Sequence, residues 1–284
     1  MLLEFDRVCF RYSGLGQVDS QNQLQEISFR FESHEALGIV GQGGAGKTTL
    51  LQMITGLEKP NSGRVCVDQQ NIHQKKYPLA QLRQKIGLVF QFPESQLFEM
   101  TVREDVAYGP RNLGLSADAI EQRVQAALDQ MELPAEQFQN RDIHHLSQGE
   151  KRRVAIAGIL AMQPEVLVLD EPTAGLDPHA TRQLVAILGK LRASGKHGLI
   201  IVSHDMEFLT EVIDRLIVLE QGKIMMDFAL TDLPNVLDKL PSHLALPRPM
   251  RLAQHLRKLG IAIPDSALTR AQVLRALTEL STDQ

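Results

Sequence analysis

The segment Gly41-Gln42-Gly43-Gly44-Ala45-Gly46-Lys47-Thr48-Thr49 follows directly on the apolar run Ala36-Leu37-Gly38-Ile39-Val40. Its spacing is Gly-x-x-x-x-Gly-Lys-[Ser/Thr], set where a strand runs into a helix. Glycines without Cβ let successive backbone N–H groups turn inward around phosphate oxygens. The helix expected to start near Gly46 adds the positive end of its dipole at the same point. Lys47 is placed to reach the β- and γ-phosphates, and the Thr48 hydroxyl to ligate Mg2+. The competing reading is a glycine-rich turn at an ordinary strand–helix junction, and the strand-like run before it argues against that. The segment therefore predicts nucleoside triphosphate binding.

A second motif narrows the chemistry. Val166-Leu167-Val168-Leu169-Asp170-Glu171-Pro172 is an unbroken apolar run ending in two carboxylates. Such a run reads as a strand buried on both faces of a parallel sheet. Ligands of these sheets bind beyond the carboxyl ends of the strands, which puts Asp170 and Glu171 at the phosphates. Successive strand residues point oppositely, so the two acids can take different roles. Asp170 is assigned to Mg2+, and Glu171 to polarising the attacking water as general base.

Between these motifs lies Leu146-Ser147-Gln148-Gly149-Glu150, followed by Lys151-Arg152-Arg153. Leu-Ser-x-Gly-[Gln/Glu] shortly before the acidic strand resembles the signature of ABC-type ATPases. In that family the signature of one subunit packs on the γ-phosphate held by the other's phosphate loop. Ser147 and Gly149 at a helix N-terminus suit that task. Gln148 departs from the commoner Gly, and Glu150 from the commoner Gln. At least two of Lys151, Arg152 and Arg153 read as a solvated positive helix face.

The resemblance implies further site residues. Tyr12 matches the aromatic that stacks on adenine, Gln91 the glutamine that touches Mg2+ and the attacking water, and His204 the histidine at the γ-phosphate. Ala174-Gly175-Leu176-Asp177 matches the loop that crosses the dimer interface. Six motifs fall in family order over about residues 1–228. The implied fold is an α/β P-loop NTPase (RecA-like) mixed sheet with an antiparallel β edge. The ATPase domain spans 1–229, with a helical subdomain near 92–163 that includes an amphipathic helix over 118–131.

The stretch from Val89 to Pro110, with Phe92-Pro93-Glu94-Ser95-Gln96-Leu97-Phe98, resembles the ATPases of energy-coupling factor (ECF) importers of vitamins and transition-metal ions. It is closest in form to the second of their two paired ATPases. Phe92, Leu97, Phe98 and Met100 are large apolar residues beside an active site, where a loop ought to be polar. They read as a surface for a transmembrane coupling subunit. The implied partners are a second ATPase, a heterodimer being favoured over a homodimer, and a substrate-binding membrane subunit.

Residues 230–284 resemble the helical extension that pairs ECF ATPase subunits. Thr231 or Asp232 is available to cap a short helix, and Pro247-Arg248-Pro249 reads as a break. Leu252, Leu256 and Leu259 repeat at helical spacing before Gly260. Thr269-x-x-Gln272 is a capping-box pattern with Val273, Leu274, Leu277 and Leu280 behind it.

Composition agrees with a peripheral subunit on the cytoplasmic face of the membrane. The chain has 284 residues, 43% hydrophobic, with net charge −4, and no apolar run approaches a membrane span. No basic leader opens it. Cys9 and Cys66 read as buried thiols of a reducing compartment. The histidines lack transition-metal spacing, and no basic excess points to nucleic acid. Residues 14–23 read as a polar turn. A soluble ABC protein acting on DNA or the ribosome would carry coiled-coil insertions or two cassettes. A P-loop GTPase would carry Asn-Lys-x-Asp. This chain has none of these.

Overall fold

The computed structural model describes residues 1–12 and 23–282. All but the last residue of the expected turn over residues 14–23 lies outside them. Along the chain, β1 (Leu2–Phe10), β2 (Leu24–Glu32) and β3 (Ala36–Val40) lead into α1 (Lys47–Ile54), and β4 (Ser62–Val67) and β5 (Gln70–Asn71) follow. After α2 (Leu79–Lys85) and β6 (Ile86–Val89) come α3 (Val102–Asn112), α4 (Ala117–Gln130), α5 (Ala135–Phe138) and α6 (Gln148–Leu160). The chain then alternates through β7 (Val166–Asp170), α7 (Pro178–Ala193), β8 (Gly198–Val202), α8 (Met206–Val212), β9 (Arg215–Glu220) and β10 (Lys223–Ala229). It ends in α9 (Leu233–Val236), α10 (Arg248–Lys258) and α11 (Arg270–Thr282).

Two sheets result. The first has order β2-β1-β4-β5 and is antiparallel; the second has order β10-β9-β3-β8-β7-β6. In the second, β9, β3, β8, β7 and β6 run parallel and β10 closes the edge antiparallel. All five residues of β3, β7 and β8 are buried, as expected for central parallel strands covered on both faces. Parallel strands put the loops after β3, β6, β7 and β8 on one edge, which is what gathers the site.

One core cluster fills the space between the two sheets and around α1. A second packs the other face of the parallel sheet against α3, α4, α6, α7 and α8, and takes in Leu230, Leu233, Met250 and Leu268 from the tail. The tail adds a small cluster of its own, Ala253, Ile263, Ala267, Val273 and Ala276. A core of that size is too small to hold a fold alone, and the docked leucines supply the rest.

Several local expectations need correction. Neither Thr231 nor Asp232 caps α9 with its side chain. The prolines at 247 and 249 start α10, with Pro247 as its N-cap; a fixed φ suits the first helical turn. Leu252 and Leu259 are exposed, whereas Met250 and Ala253 are buried. The Thr269–Gln272 capping box is present, each residue's backbone N–H bonded to the other's side chain. Cys9 and Cys66 are half-buried, and burial pushes the Cys66 thiol up.

Candidate active site

The loop after β3 is built around two glycines that admit no side chain. A Cβ on Gly41 would lie 2.2 Å from the Leu219 carbonyl oxygen. Gly46, the N-cap of α1, has φ of 101°, in the region that favours glycine. Among the described residues, no hydrogen bond uses the backbone N–H of Gly43, Gly44 or Gly46. Ala45 is buried and its N–H bonds the Gln42 carbonyl. Lys47 donates from Nζ to the carbonyls of Gly41 at 2.8 Å and Gln42 at 3.0 Å. Burial pushes its ammonium pKa down, opposed by the carboxylates of Glu171 and Asp170.

The first turn of α1 meets the end of β7. Thr48 Oγ1 donates to Asp170 Oδ2 at 3.1 Å. Asp170 is buried, which pushes its carboxyl up; the Thr48 hydroxyl and Lys47 oppose that, and Glu171 adds to it. A hydroxyl and a carboxylate held together at a phosphate loop are hard oxygen donors, the set that fits Mg2+. Gln91 lies two residues past the end of β6, the strand beside β7, and is exposed.

Glu171 follows Asp170 with φ of 47°, an uncommon conformation for a residue bearing Cβ. Its backbone N–H bonds the Val202 carbonyl at 2.8 Å, which turns the chain across the end of β8. Its Oε2 then accepts from Ser203 Oγ at 3.2 Å and lies 2.9 Å from His204 Nδ1. Phosphate loop, both acids and the histidine thus share one surface.

Tyr12 leaves the end of β1 exposed, with its ring edge-on to Phe10. Its hydroxyl donates to Gln52 Oε1 at 2.9 Å and lies 3.4 Å from Thr49 Oγ1. The ring is thereby tied to α1 beside the phosphate loop.

Ser147 and Gly149 stand apart. Ser147 is exposed at the N-cap of α6 in a full capping box with Glu150, and among the described residues no hydrogen bond joins it to residues 41–49. Glu150 also pairs with Arg141 at 3.0 Å. Burial raises the Glu150 carboxyl, but its bonds from Ser147 and Arg141 hold it below its ordinary value. Gly149 faces α7: a Cβ there would lie 2.8 Å from Ala180 Cβ. Asp177 caps α7, accepting from Ala180 and His179 N–H groups, which lower its pKa.

Sequence reasoning missed Arg152. It is fully buried, and Lys151 and Arg153 are half-buried, where a solvated face was expected for at least two of the three. Its guanidinium pairs with Glu94 at 3.0 Å. The one sequence signal was Glu94 itself, a carboxylate in the apolar stretch around Phe92–Met100. In that stretch Phe92, Phe98 and Met100 are 47%, 62% and 65% exposed, whereas Leu97 packs on the core.

The model of the ABC transporter family matches residues 24–174. The energy-coupling factor transporter ATP-binding protein EcfA2 of Clostridium perfringens is 41% identical over 258 residues, 90% of each chain. EcfA2 of Caldanaerobacter subterraneus is 40% identical over 270 residues, 95% of this chain and 94% of its own. Among solved structures, cbiO1 from Clostridium perfringens, part of the ABC transporter complex cbiONQ, matches with a TM-score of 0.77 at 32% identity. It covers 91% of this chain and 96% of its own. A dimeric ATP-binding cassette bound to ADP and Pi matches with a TM-score of 0.70 at 28% identity, over 80% of this chain and 98% of its own.

Proposed function

The chain belongs to the ABC transporter family, among the energy-coupling factor transporter ATP-binding proteins, and from that membership we propose that it powers an importer of vitamins or transition-metal ions by hydrolysing ATP. The observation that carries the reading is the Thr48–Asp170 hydrogen bond beside Glu171. It joins the phosphate loop to the acidic strand end in one site.

In this reading the loop from Gly41 to Thr49 holds the phosphates and Tyr12 stacks on adenine. Thr48, Asp170 and Gln91 would hold Mg2+, which when bound neutralises charge on the phosphate oxygens. Glu171 takes a proton from the water as its oxygen adds to the γ-phosphorus and the bond to ADP breaks. Gln91 orients that water, and His204 both fixes the Glu171 carboxylate and donates toward the γ-phosphate. Ser147 is exposed at the start of α6, with no hydrogen bond to residues 41–49 among the described residues, which supports a role for Ser147 and Gly149 at the phosphate loop of a second ATPase subunit, with Asp177 at the same interface. A heterodimer is the proposed form.

No helix among the described residues is long and apolar enough to cross a membrane. The subunit is proposed to sit peripherally on the cytoplasmic face, with Phe92, Phe98 and Met100 against a transmembrane coupling subunit and a substrate-binding membrane subunit beyond it. The test is purification of the chain from its native host. A second ATPase and multispanning membrane proteins are expected to come with it. A chain that turns over ATP alone and brings no membrane protein would contradict the reading.

A further inference from the structure

Glu94 and Arg152 form a buried ion pair, with side chains 9% and 0% exposed. A buried pair brings little net stability over apolar residues of the same size, so its geometry calls for another explanation. Arg152 spends all five of its N–H donors. Nε and Nη2 reach Glu94 at 3.0 and 3.2 Å, Nη1 reaches the carbonyls of Pro172 at 2.7 Å and Glu171 at 3.5 Å, and Nη2 also reaches Ala174 at 2.9 Å. Glu94 takes one more bond, from Gln148 Nε2 at 2.7 Å. Gln148 and Arg152 are four apart on α6, so they meet one carboxylate from one helix face.

The contacts abut three loops of the site. Gln148 adjoins Ser147, Pro172 adjoins Glu171, and Glu94 sits three residues past Gln91. Phe92, between Gln91 and Glu94, has φ of 56° and its ring lies over the Arg152 guanidinium, 6.0 Å away. A movement of the loop after β6 therefore pulls on the signature end of α6 and on the loop carrying Glu171 together.

The geometry points to Glu94, Arg152 and Gln148 as positioning residues that lock the signature presented to a partner subunit to this subunit's own Gln91 and Glu171. This rests on the reading that Ser147 serves the partner's nucleotide. It also gives Gln148 a use that Gly at that position lacks: its amide is the hydrogen bond between Glu94 and the signature. Occupancy of one site then sets the geometry offered to the other.

The test uses the full chain purified with its partner subunits, measuring kcat, KM for ATP and thermal melting. Gln148 is exposed, so Gln148→Ala should keep the melting temperature and KM while kcat falls by about tenfold, the scale of one hydrogen bond to a charged group. Glu94→Ala should lower kcat further, and Glu94→Gln, which keeps an acceptor, should restore part of it. The double variant Gln148→Ala/Glu94→Ala should match Glu94→Ala alone, because both act through one contact. Additive losses would overturn the proposal, as would an unchanged kcat in Gln148→Ala or losses that only track melting temperature. Glu171→Gln run alongside separates the two readings. If it turns over at the wild-type rate, the catalytic assignment fails; if it is inactive while the cycle is additive, the lock alone fails.

Discussion

His204 Nδ1 and Glu171 Oε2 lie 2.9 Å apart, joining the ends of two adjacent parallel strands across the face of the phosphate loop. Glu171 reaches this position by adopting φ of 47°, a conformation that costs on the order of 1–3 kcal/mol. Ser203 and His204 hold its carboxylate in place at the end of β7. His204→Ala should lower kcat by roughly 10²-fold with a small change in ATP affinity, since ground-state binding rests on other groups. An equal loss in ATP affinity would make His204 a binding residue instead.

Asp170 bears on stability as well as chemistry. Its folded pKa is raised above the ordinary 3.8 by burial, so between the two values the folded chain holds a proton there that the unfolded chain has released. Stability is therefore greatest below the ordinary carboxylate pKa, falls as pH rises through the raised value, and stays lost above it. Asp170→Asn removes that loss. Without nucleotide at neutral pH it should melt higher than the wild type. The gain should vanish in acid, and Mg2+-dependent turnover should be abolished. A variant that melts lower at neutral pH would contradict the electrostatic account.

The phosphate loop and the acidic strand are legible in the sequence because their chemistry is local: a strand, a turn and a helix start within a dozen residues. The parallel core strands are legible for the same reason, as unbroken apolar runs. The Arg152 clasp is not, because Glu94 is 58 residues away and Lys-Arg-Arg on a helix has the composition of a solvated face. The tail misleads differently. Its leucines repeat at helical spacing, yet small side chains such as Ala253 and Ala276 let α10 and α11 approach, and Leu252 and Leu259 are left outside. The two departures in the signature also acquire reasons that only the fold supplies. Glu150 closes the capping box of α6 and pairs with Arg141, and Gln148 binds Glu94.

Ser147→Arg should leave ATP binding at this chain's own phosphate loop intact and stop hydrolysis at the partner's. Combining it with a phosphate-loop mutation in one subunit or the other identifies the affected site. Lost ATP affinity in the same chain, with the partner's site untouched, would reverse the assignment.

Phe98 is 62% exposed and stands edge-on to Tyr108, itself exposed, at 4.8 Å between ring centroids. Phe98→Asp should cost about 2–4 kcal/mol of association with the transmembrane subunit, the range of interface hot spots. The free protein should keep its melting temperature, and the ATPase pair its ATP turnover. Undiminished binding of the membrane subunit would remove Phe98 from the docking surface.

If Glu171 is the base of an ATPase whose nucleotide is held by Lys47 and its loop, Glu171→Gln separates binding from hydrolysis when equilibrium ATP binding and phosphate release are measured together. The substitution keeps size and hydrogen bonding and removes the base. ATP should bind as in the wild type, the closed dimer should accumulate, and phosphate release should fall by roughly 10²-fold or more. Phosphate release near the wild-type rate would contradict the account.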